Sequence, residues 1–291
     1  MRALLIVNPW ATGVDDPRLA AVQDALPPET ETRLTSRKGE ASELARELSG
    51  RVDAIYVFGG DGTYNEVLNG IDGVTPLGLI PGGGTSVLPR ALGLPRNPVA
   101  AARRVAEGAP RRIGLGRVNG HRFGFCAGVG LDAEIVRAVD DLGRRPDGRR
   151  PGDFTFAWTS VRTLSRHRFR LEPALEVAGY GRAALALVSN SPVYSYAGRI
   201  PLRFAPDATF DGGLDLVAPT RVRGRDVPRI VGYALGRGDR TRERDVLYAH
   251  DADRVEIVCD RPLPLQADGE DLGDVEGAVF EAERQAVTVL V

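Results

Sequence analysis

The stretch Tyr56–Gly70, YVFGGDGTYNEVLNG, constrains this chain more than any other. An apolar run, Asp53-Ala54-Ile55-Tyr56-Val57-Phe58, reads as a β-strand. It breaks at once into Gly59-Gly60-Asp61-Gly62-Thr63, and a helical pattern resumes over Thr63–Ile71. Glycines on both sides of one carboxylate leave almost no side-chain bulk in the turn, so backbone can lie close to a ligand and can take positive φ. The helix that follows aims its N–H groups and the positive end of its dipole at the same place, which favours an anion. Phosphate suits such a turn. A carboxylate there, Asp61, needs a metal, a basic group or a hydroxyl proton nearby. That combination points to phosphoryl transfer more than to binding alone.

The flanking sequence repeats this grammar. Ala3–Val7 is a short apolar run that predicts a buried parallel strand, ending in Asn8-Pro9-Trp10-Ala11-Thr12-Gly13. Asp16 and Pro17 start a helix that runs through Leu26 to the stop at Pro27-Pro28. Glu31–Leu34 is a second strand, closed by Thr35, and Gly39–Leu48 a helix with Ala41, Leu44, Ala45 and Leu48 on one face. Leu77–Ile80 is a further strand, ending in Pro81-Gly82-Gly83-Gly84-Thr85-Ser86, and Pro98–Glu107 a further helix. The alternation predicts a doubly wound α/β domain over residues 1–112, with its turn residues opening on one edge of the sheet.

From Arg111 onward the pattern changes. Ile113–Val118 and Arg122–Ala127 flank Asn119-Gly120, a hairpin signal. Gly128–Asp140 leads from a glycine turn into a helix, and Phe154–Leu164 is also helical. Strand-like runs follow at Leu171–Val177, Ala183–Ser189, Gly213–Ala218, Arg254–Cys259 and Val287–Val291. Residues 113–291 therefore predict a mainly antiparallel, sandwich-like β domain, with the interdomain cleft as the default active site. The basic stretch Arg144–Arg150 reads as a solvated loop, with contact to anionic lipid as the other reading. Phe154, Phe156 and Trp158 read as core packing, with the lining of a lipid cavity as the other.

Composition narrows the function. The net charge of -1 argues against nucleic acid as a partner. Lys38 is the only lysine, so phosphate charge must be met by Mg²⁺ or arginine. Cys126 and Cys259 lie in apolar runs and read as buried free thiols of a reducing compartment. No apolar run is long enough to span a bilayer, which predicts a cytoplasmic protein whose membrane contact, if any, is peripheral at the inner face. Homo-oligomer formation stays open.

Read together, the motifs resemble the diacylglycerol kinase catalytic domain family, in particular its bacterial soluble lipid kinases. The resemblance rests on Asn8-Pro9, on Thr35 with Gly39 and Ala41, on Gly59–Val67 (GGDGTYNEV), and on Pro81–Arg90 followed by Ala91–Pro95 (ALGLP). It continues through Ala127–Glu134 (AGVGLDAE), Asp211–Asp215 (DGGLD) and Gln266–Glu270 (QADGE). The resemblance implies an ATP-dependent kinase with a diacylglycerol-like lipid substrate and Mg²⁺. It implies that Asn8, Pro9, Trp10, Ala11 and Thr12 line the nucleotide site and that Thr35 reaches the base or sugar. Gly59, Gly60, Asp61, Gly62, Thr63, Asn65 and Glu66 would hold the phosphates, and Gly84 or Thr85 would close the pocket. Glu270 is then the general base, with Asp268 and Asp61 on metal or water, although residue type alone leaves the ranking of these carboxylates open. Asp268 and Glu270, two apart, would project to one side if the chain were extended, while a polar hairpin turn is the plainer reading. Asp132 would face the acceptor hydroxyl or simply cap a helix. Asp211, with the carbonyls of Ala208 and Gly213, would hold a structural Mg²⁺ or form an ordinary turn.

The chain departs from the family pattern in three places. Thr85-Ser86-Val87-Leu88 lacks an Asn and a Phe, Phe125 replaces an Asn, and the loop after Asn8-Pro9 lacks Ser-Gly and a basic residue. The altered segment and the missing lysine motivate a second reading, a nucleotide-binding regulatory protein with little kinase activity. The glycine-aspartate loop also resembles NAD kinases and phosphofructokinases, so a kinase of NAD or another polar acceptor is the third.

Overall fold

The computed structural model describes residues 2–143, 153–236 and 245–291, and the side chains within them except those of 153–157. The stretch Arg144–Arg150 and the side chains of Phe154 and Phe156 lie outside the described residues. Two compact units form: one comprises residues up to Gly114 together with Arg284–Val291, the other the described residues between Leu115 and Glu283.

The first unit is built on the parallel strands β1 (Ala3–Val7), β2 (Thr30–Leu34), β3 (Ala54–Gly59) and β4 (Leu77–Pro81), in the order β4-β3-β1-β2. Every residue of β1, β3 and β4 is buried, as all-apolar runs demand of a sheet covered on both faces. β2 (TETRL) sits at the edge and is largely solvated. The helices are α1 (Asp16–Gln23), α2 (Glu40–Leu48), α3 (Asp61–Leu68), α4 (Val87–Ala91) and α5 (Pro98–Ala106). Right-handed crossovers put α1 on one face and α2 and α3 on the other. The packing agrees, because α1 meets α5 and α2 meets α3. The first crossover leads from β1 to β2 and the next returns past β1 to β3, so the chain reverses direction between β1 and β3. Ligands of doubly wound sheets bind outside the strand ends at such a switch point.

Three local expectations shift. α1 ends at Gln23 because Ala25 and Leu26 donate to carbonyls three residues back, tightening the chain out of the α-helix. α3 begins at Asp61, two residues before the expected Thr63. Gly60 is its extended N-cap, and its carbonyl already accepts from the N–H groups of Thr63 and Tyr64. α4 was not expected at all; Ser86, at φ 49, turns the chain into it.

The second unit is antiparallel. Its first strands are β5 (Pro110–Val118), β6 (His121–Phe123) and β7 (Cys126–Val129), followed by helices α6 (Leu131–Asp140) and α7 (Asp153–Arg166). Then come β8 (Arg170–Leu171), β9 (Leu175–Val177), β10 (Gly181–Ala183), β11 (Ala186–Ser189), β12 (Ser195–Ala197) and β13 (Ile200–Leu202). The chain ends with β14 (Leu214–Pro219), β15 (Val222–Arg223), α8 (Val227–Ala234), β16 (Val246–Ala252), β17 (Arg254–Ala267) and β18 (Glu270–Leu290); the residues of β5 up to Gly114 and of β18 from Arg284 belong to the first unit. The main ladder runs β16-β14-β11-β7-β17-β18. Its apolar face includes Val129, Val188, Leu216, Ile257, Leu265 and Phe280. The β5–β6 hairpin turns on Asn119 (φ 48) and Gly120 (φ 88), as an Asn-Gly pair should. β17 runs past Cys259, where the sequence suggested an end. Pro262 and Pro264 are accommodated because the pairing with β18 shifts register between Val258 and Leu263 and again between Pro264 and Gln266.

Both cysteines are buried and free. Among the described residues no helix is long and apolar enough to cross a membrane. Trp158 was expected in the core and is not there: it stands 62 % exposed on α7. Among the described side chains of that helix, the buried positions are Thr159 and Thr163.

Candidate functional site

In the first unit, hydrogen bonds tie three strand ends together at the switch point. The Asn8 N–H donates to Phe58 O, Gly13 N–H to Gly82 O at 2.7 Å, and Gly82 N–H to Gly59 O at 2.7 Å. Asn8 folds its own turn, its Oδ1 accepting from Trp10 N–H, and its Nδ2 donates to Thr63 Oγ1 at 2.9 Å. The residues after β1 and the first turn of α3 are thus one constellation. Tyr64, fully buried, lies with its hydroxyl 2.7 Å from Gly59 O and 2.8 Å from Ile80 O and fastens β3 to β4. The sequence had not singled it out; a tyrosine on the inner face of a short helix was the available signal.

The glycines earn their places by contact. A Cβ on Gly59 would meet the Thr63 side chain at 2.8 Å, and one on Gly83 would meet the Gly60 Cα at 2.8 Å. The Gly59-Gly60 and Gly82-Gly83 turns therefore pack backbone on backbone, and Gly84 approaches Thr12. No side chain caps α3, so its N-terminal N–H groups face the turn as an anion site requires. Gly83→Ala should force these turns apart. We expect a loss of about 1–3 kcal/mol in urea unfolding, with weaker nucleotide binding by calorimetry.

Of the other expected residues, Thr35 is buried with its hydroxyl and N–H on Val7 O. Pro9 and Trp10 are exposed at the tip of the turn, and Thr85 accepts from Arg90 through its carbonyl. Asn65 is buried one turn into α3, with Oδ1 near Asn69 Nδ2, and Glu66 is partly exposed beside it. Asp61 finds its electropositive partner in the backbone: Oδ1 accepts from the N–H of Val87 at 2.7 Å and of Leu88 at 3.4 Å. Its carboxylate holds the start of α4 in place.

The second unit carries the other acids. Asp268 and Gly269 form the two-residue turn between β17 and β18, with φ 51 and 78. The extended arrangement that would aim Asp268 and Glu270 to one side is therefore absent; two left-handed residues reverse the chain between them. Asp268 points inward, 4 % exposed, and accepts from the N–H groups of Gly124 (2.6 Å), Phe125 (2.9 Å) and Cys126 (3.2 Å). Glu270, partly exposed, opens β18 opposite Ala267.

Asp132 lies in the first turn of α6, where its carboxylate accepts from the Tyr194 hydroxyl and from Gln266 Nε2 at 2.6 Å. Gln266 in turn accepts from Gly269 N–H at 2.9 Å. One amide side chain thereby links Asp132 to the turn that precedes Glu270, a role for Gln266 and Tyr194 that sequence reading missed. Gly128 is glycine because a Cβ would lie 2.7 Å from Asp132 Oδ2. Burial pushes the Asp132 carboxyl above the usual range, with the Tyr194 and Gln266 hydrogen bonds pulling it part of the way back. An acid raised by folding is ionised at an expense the unfolded chain does not meet, so its penalty grows as pH rises through the raised value and vanishes below the ordinary one. Asp132→Asn should therefore gain stability relative to wild type as pH rises from the ordinary carboxylate range toward neutrality, read from urea unfolding across pH. A constant difference would contradict this.

At the remaining motif, Asp211 is exposed, Ala208 and Gly213 are buried, and Gly213 N–H donates to Asp251 Oδ1 at 2.6 Å. No group of three or more His, Cys, Asp or Glu side chains capable of holding a metal exists among the described residues. The expected Asp211 set would be oxygen-only, one carboxylate and two carbonyls, a chemistry that suits Mg²⁺ keeping several waters. The second acid of the motif, Asp215, was not anticipated. It is fully buried and accepts from Tyr248, from Asp251 N–H and from His250 Nδ1 at 2.9 Å when that nitrogen is protonated. Burial raises its carboxyl and these partners counter the rise.

Comparison with known proteins fits this geometry. The diacylglycerol kinase catalytic domain family matches residues 2–118, and the YegS C-terminal NAD kinase beta sandwich-like domain matches residues 126–291. A diacylglycerol kinase of Bacillus subtilis (strain 168) is 31% identical over 272 residues, 90% of this chain and 86% of that protein. One from Staphylococcus saprophyticus is 30% identical, covering 86% of this chain and 81% of its own. The crystal structure of a diacylglycerol kinase from Bacillus anthracis str. Sterne superposes with a TM-score of 0.72 at 22% identity, covering 99% of this chain and 96% of that one. An NAD kinase from Archaeoglobus fulgidus in complex with ATP gives 0.52 at 14% identity, over 100% and 94%. These two structures share the fold.

Proposed function

Because the chain belongs to the diacylglycerol kinase catalytic domain family, we propose that it transfers the γ-phosphate of ATP to a hydroxyl of diacylglycerol or a closely similar lipid. The observation that carries this is the α3 N-terminus without a side-chain cap, set by glycine-on-glycine packing at the switch point of the sheet. Helix N–H groups and small residues hold phosphate without lysine, which this chain lacks there. Asn8 and Thr63, bonded to each other, shape the wall beside the phosphates.

Glu270 takes the proton from the lipid hydroxyl as it attacks the γ-phosphorus. It is the acid of its motif that stands partly open on a strand, whereas Asp268 is buried on three backbone N–H groups. We accordingly assign Asp268 and Asp61 to positioning: one fixes the turn before Glu270, the other the loop around Gly83–Ser86. Asp132 orients the acceptor hydroxyl. Mg²⁺ supplies the charge that neutralises the phosphates; at the structural position Asp211 would hold it with the carbonyls of Ala208 and Gly213. The reaction would take place in the cytoplasm, at the inner membrane face.

Incubation with γ-labelled ATP, Mg²⁺ and diacylglycerol in mixed micelles should yield labelled phosphatidate, and NAD in place of lipid should yield nothing. Nucleotide binding with no labelled lipid would select the regulatory reading, which the engagement of Asp61 by α4 favours.

A further inference from the structure

Helix α6 ties down the turn before Glu270 and the strand after it. Ala133 and Val136 are its buried positions, and at 100° per residue Asp132 and Arg137 flank that stripe on opposite sides. Asp132 reaches β17 through Gln266, whose Oε1 accepts from Gly269 N–H. Arg137 reaches β18. Its Nε donates to Asp271 Oδ2 at 2.8 Å and its Nη2 to Asp271 Oδ1 at 3.0 Å, while its Nη1 lies 2.7 Å from Asp274 Oδ1. Asp271 Oδ1 also accepts from Gly273 N–H at 3.1 Å. Gln266 and Asp271 are cross-strand partners, as are Ala267 and Glu270. Glu270 is thus bracketed: the residue before it is tied to α6 through Gln266, the residue after it through Arg137. Successive strand residues project to opposite faces, so with Asp271 turned to α6, Glu270 points from the other face.

Stability does not account for the Arg137 tie. Asp268, buried on three backbone N–H groups, already anchors the turn. The Arg137 and Asp271 side chains are 34 % and 27 % exposed, and an ion pair so open to solvent adds little to stability. What the two-pronged contact adds is direction, because a planar guanidinium fixes a carboxylate in angle as well as in distance.

We propose that Arg137 is a positioning residue for Glu270: by clamping Asp271 it fixes the backbone from which the base projects. The inference rests on the reading of Glu270 as the base and deepens it. Without Arg137 the start of β18 is held on one side only, and the Glu270 carboxylate spends less time where it can take a hydroxyl proton. A base displaced by a fraction of an ångström loses rate and leaves nucleotide binding alone.

The test compares wild type, Arg137→Ala, Glu270→Ala and the double variant with ATP, Mg²⁺ and micellar diacylglycerol. Arg137→Ala should lower kcat by about 10- to 100-fold, with the KM for ATP and the calorimetric nucleotide affinity unchanged. Arg137→Lys keeps the charge and loses the fork, so it should be similarly impaired. In the Glu270→Ala background the same Arg137→Ala change should cost less than about 2-fold, because the group it positions is gone. Amide hydrogen exchange over Gln266–Gly273 should be faster in Arg137→Ala, while thermal unfolding moves little. Wild-type kcat in Arg137→Ala, an equal loss in both backgrounds, or unchanged exchange would overturn the positioning role and leave Glu270 as the base. A Glu270→Ala protein with wild-type turnover would instead remove the base reading, and the role of Arg137 with it.

Discussion

Asp268→Ala should destabilise the protein by about 3–5 kcal/mol, the range for stripping the partner from a buried, multiply bonded charge. The carboxylate accepts from three successive backbone N–H groups, those of Gly124, Phe125 and Cys126, and is buried with them. Removing it leaves those donors without an acceptor and without room for much water. Alanine would also have to sit at φ 51, where a side chain without local hydrogen bonding is strained. Asp268→Asn tolerates that backbone and keeps one acceptor oxygen, so it should fall between wild type and alanine. Urea unfolding measures all three. A loss under about 1 kcal/mol for alanine would show that the carboxylate does not anchor the turn and would restore it as a candidate metal ligand.

Glu270→Ala should do the reverse. Glu270 is partly exposed at the start of β18, so stability should change by less than about 0.5 kcal/mol. Loss of a general base should lower kcat by about 10²–10⁴-fold, with nucleotide affinity unchanged by calorimetry. Glu270→Gln should be as impaired, since it keeps the shape and loses the base. A Glu270→Ala protein with wild-type turnover would remove Glu270 from the chemistry. The two neighbours should therefore separate: one substitution should act on folding, the other on rate.

The N-terminal sheet and its turn were legible because buried parallel strands are apolar at every position, and because a glycine cluster between a strand and a helical pattern marks a tight turn. The Asn119-Gly120 hairpin was legible for the same local reason. What escaped depends on distant contacts. α4 exists where Asp61, 26 residues earlier, accepts from its first N–H groups. The inward turn of Asp268 is set by amides 142 to 144 residues away. Gln266 and Tyr194 gain meaning only once β17, α6 and the chain before β12 bring them to Asp132. The full length of β17 was hidden by prolines, which the register shifts absorb. Trp158 misled because large aromatics are usually inside, whereas it stands exposed on α7.

The central proposal is that ATP places its phosphates on the glycine turns at the start of α3 and that Glu270 serves as the base. Electron density for the protein bound to a non-hydrolysable ATP analogue tests it most directly. The account predicts the β- and γ-phosphates against the N–H groups of Gly60–Gly62, with the Glu270 carboxylate close enough to accept a proton from a hydroxyl at the γ-phosphorus. Phosphates bound away from that turn, or a Glu270 remote from the γ-phosphate, would contradict it.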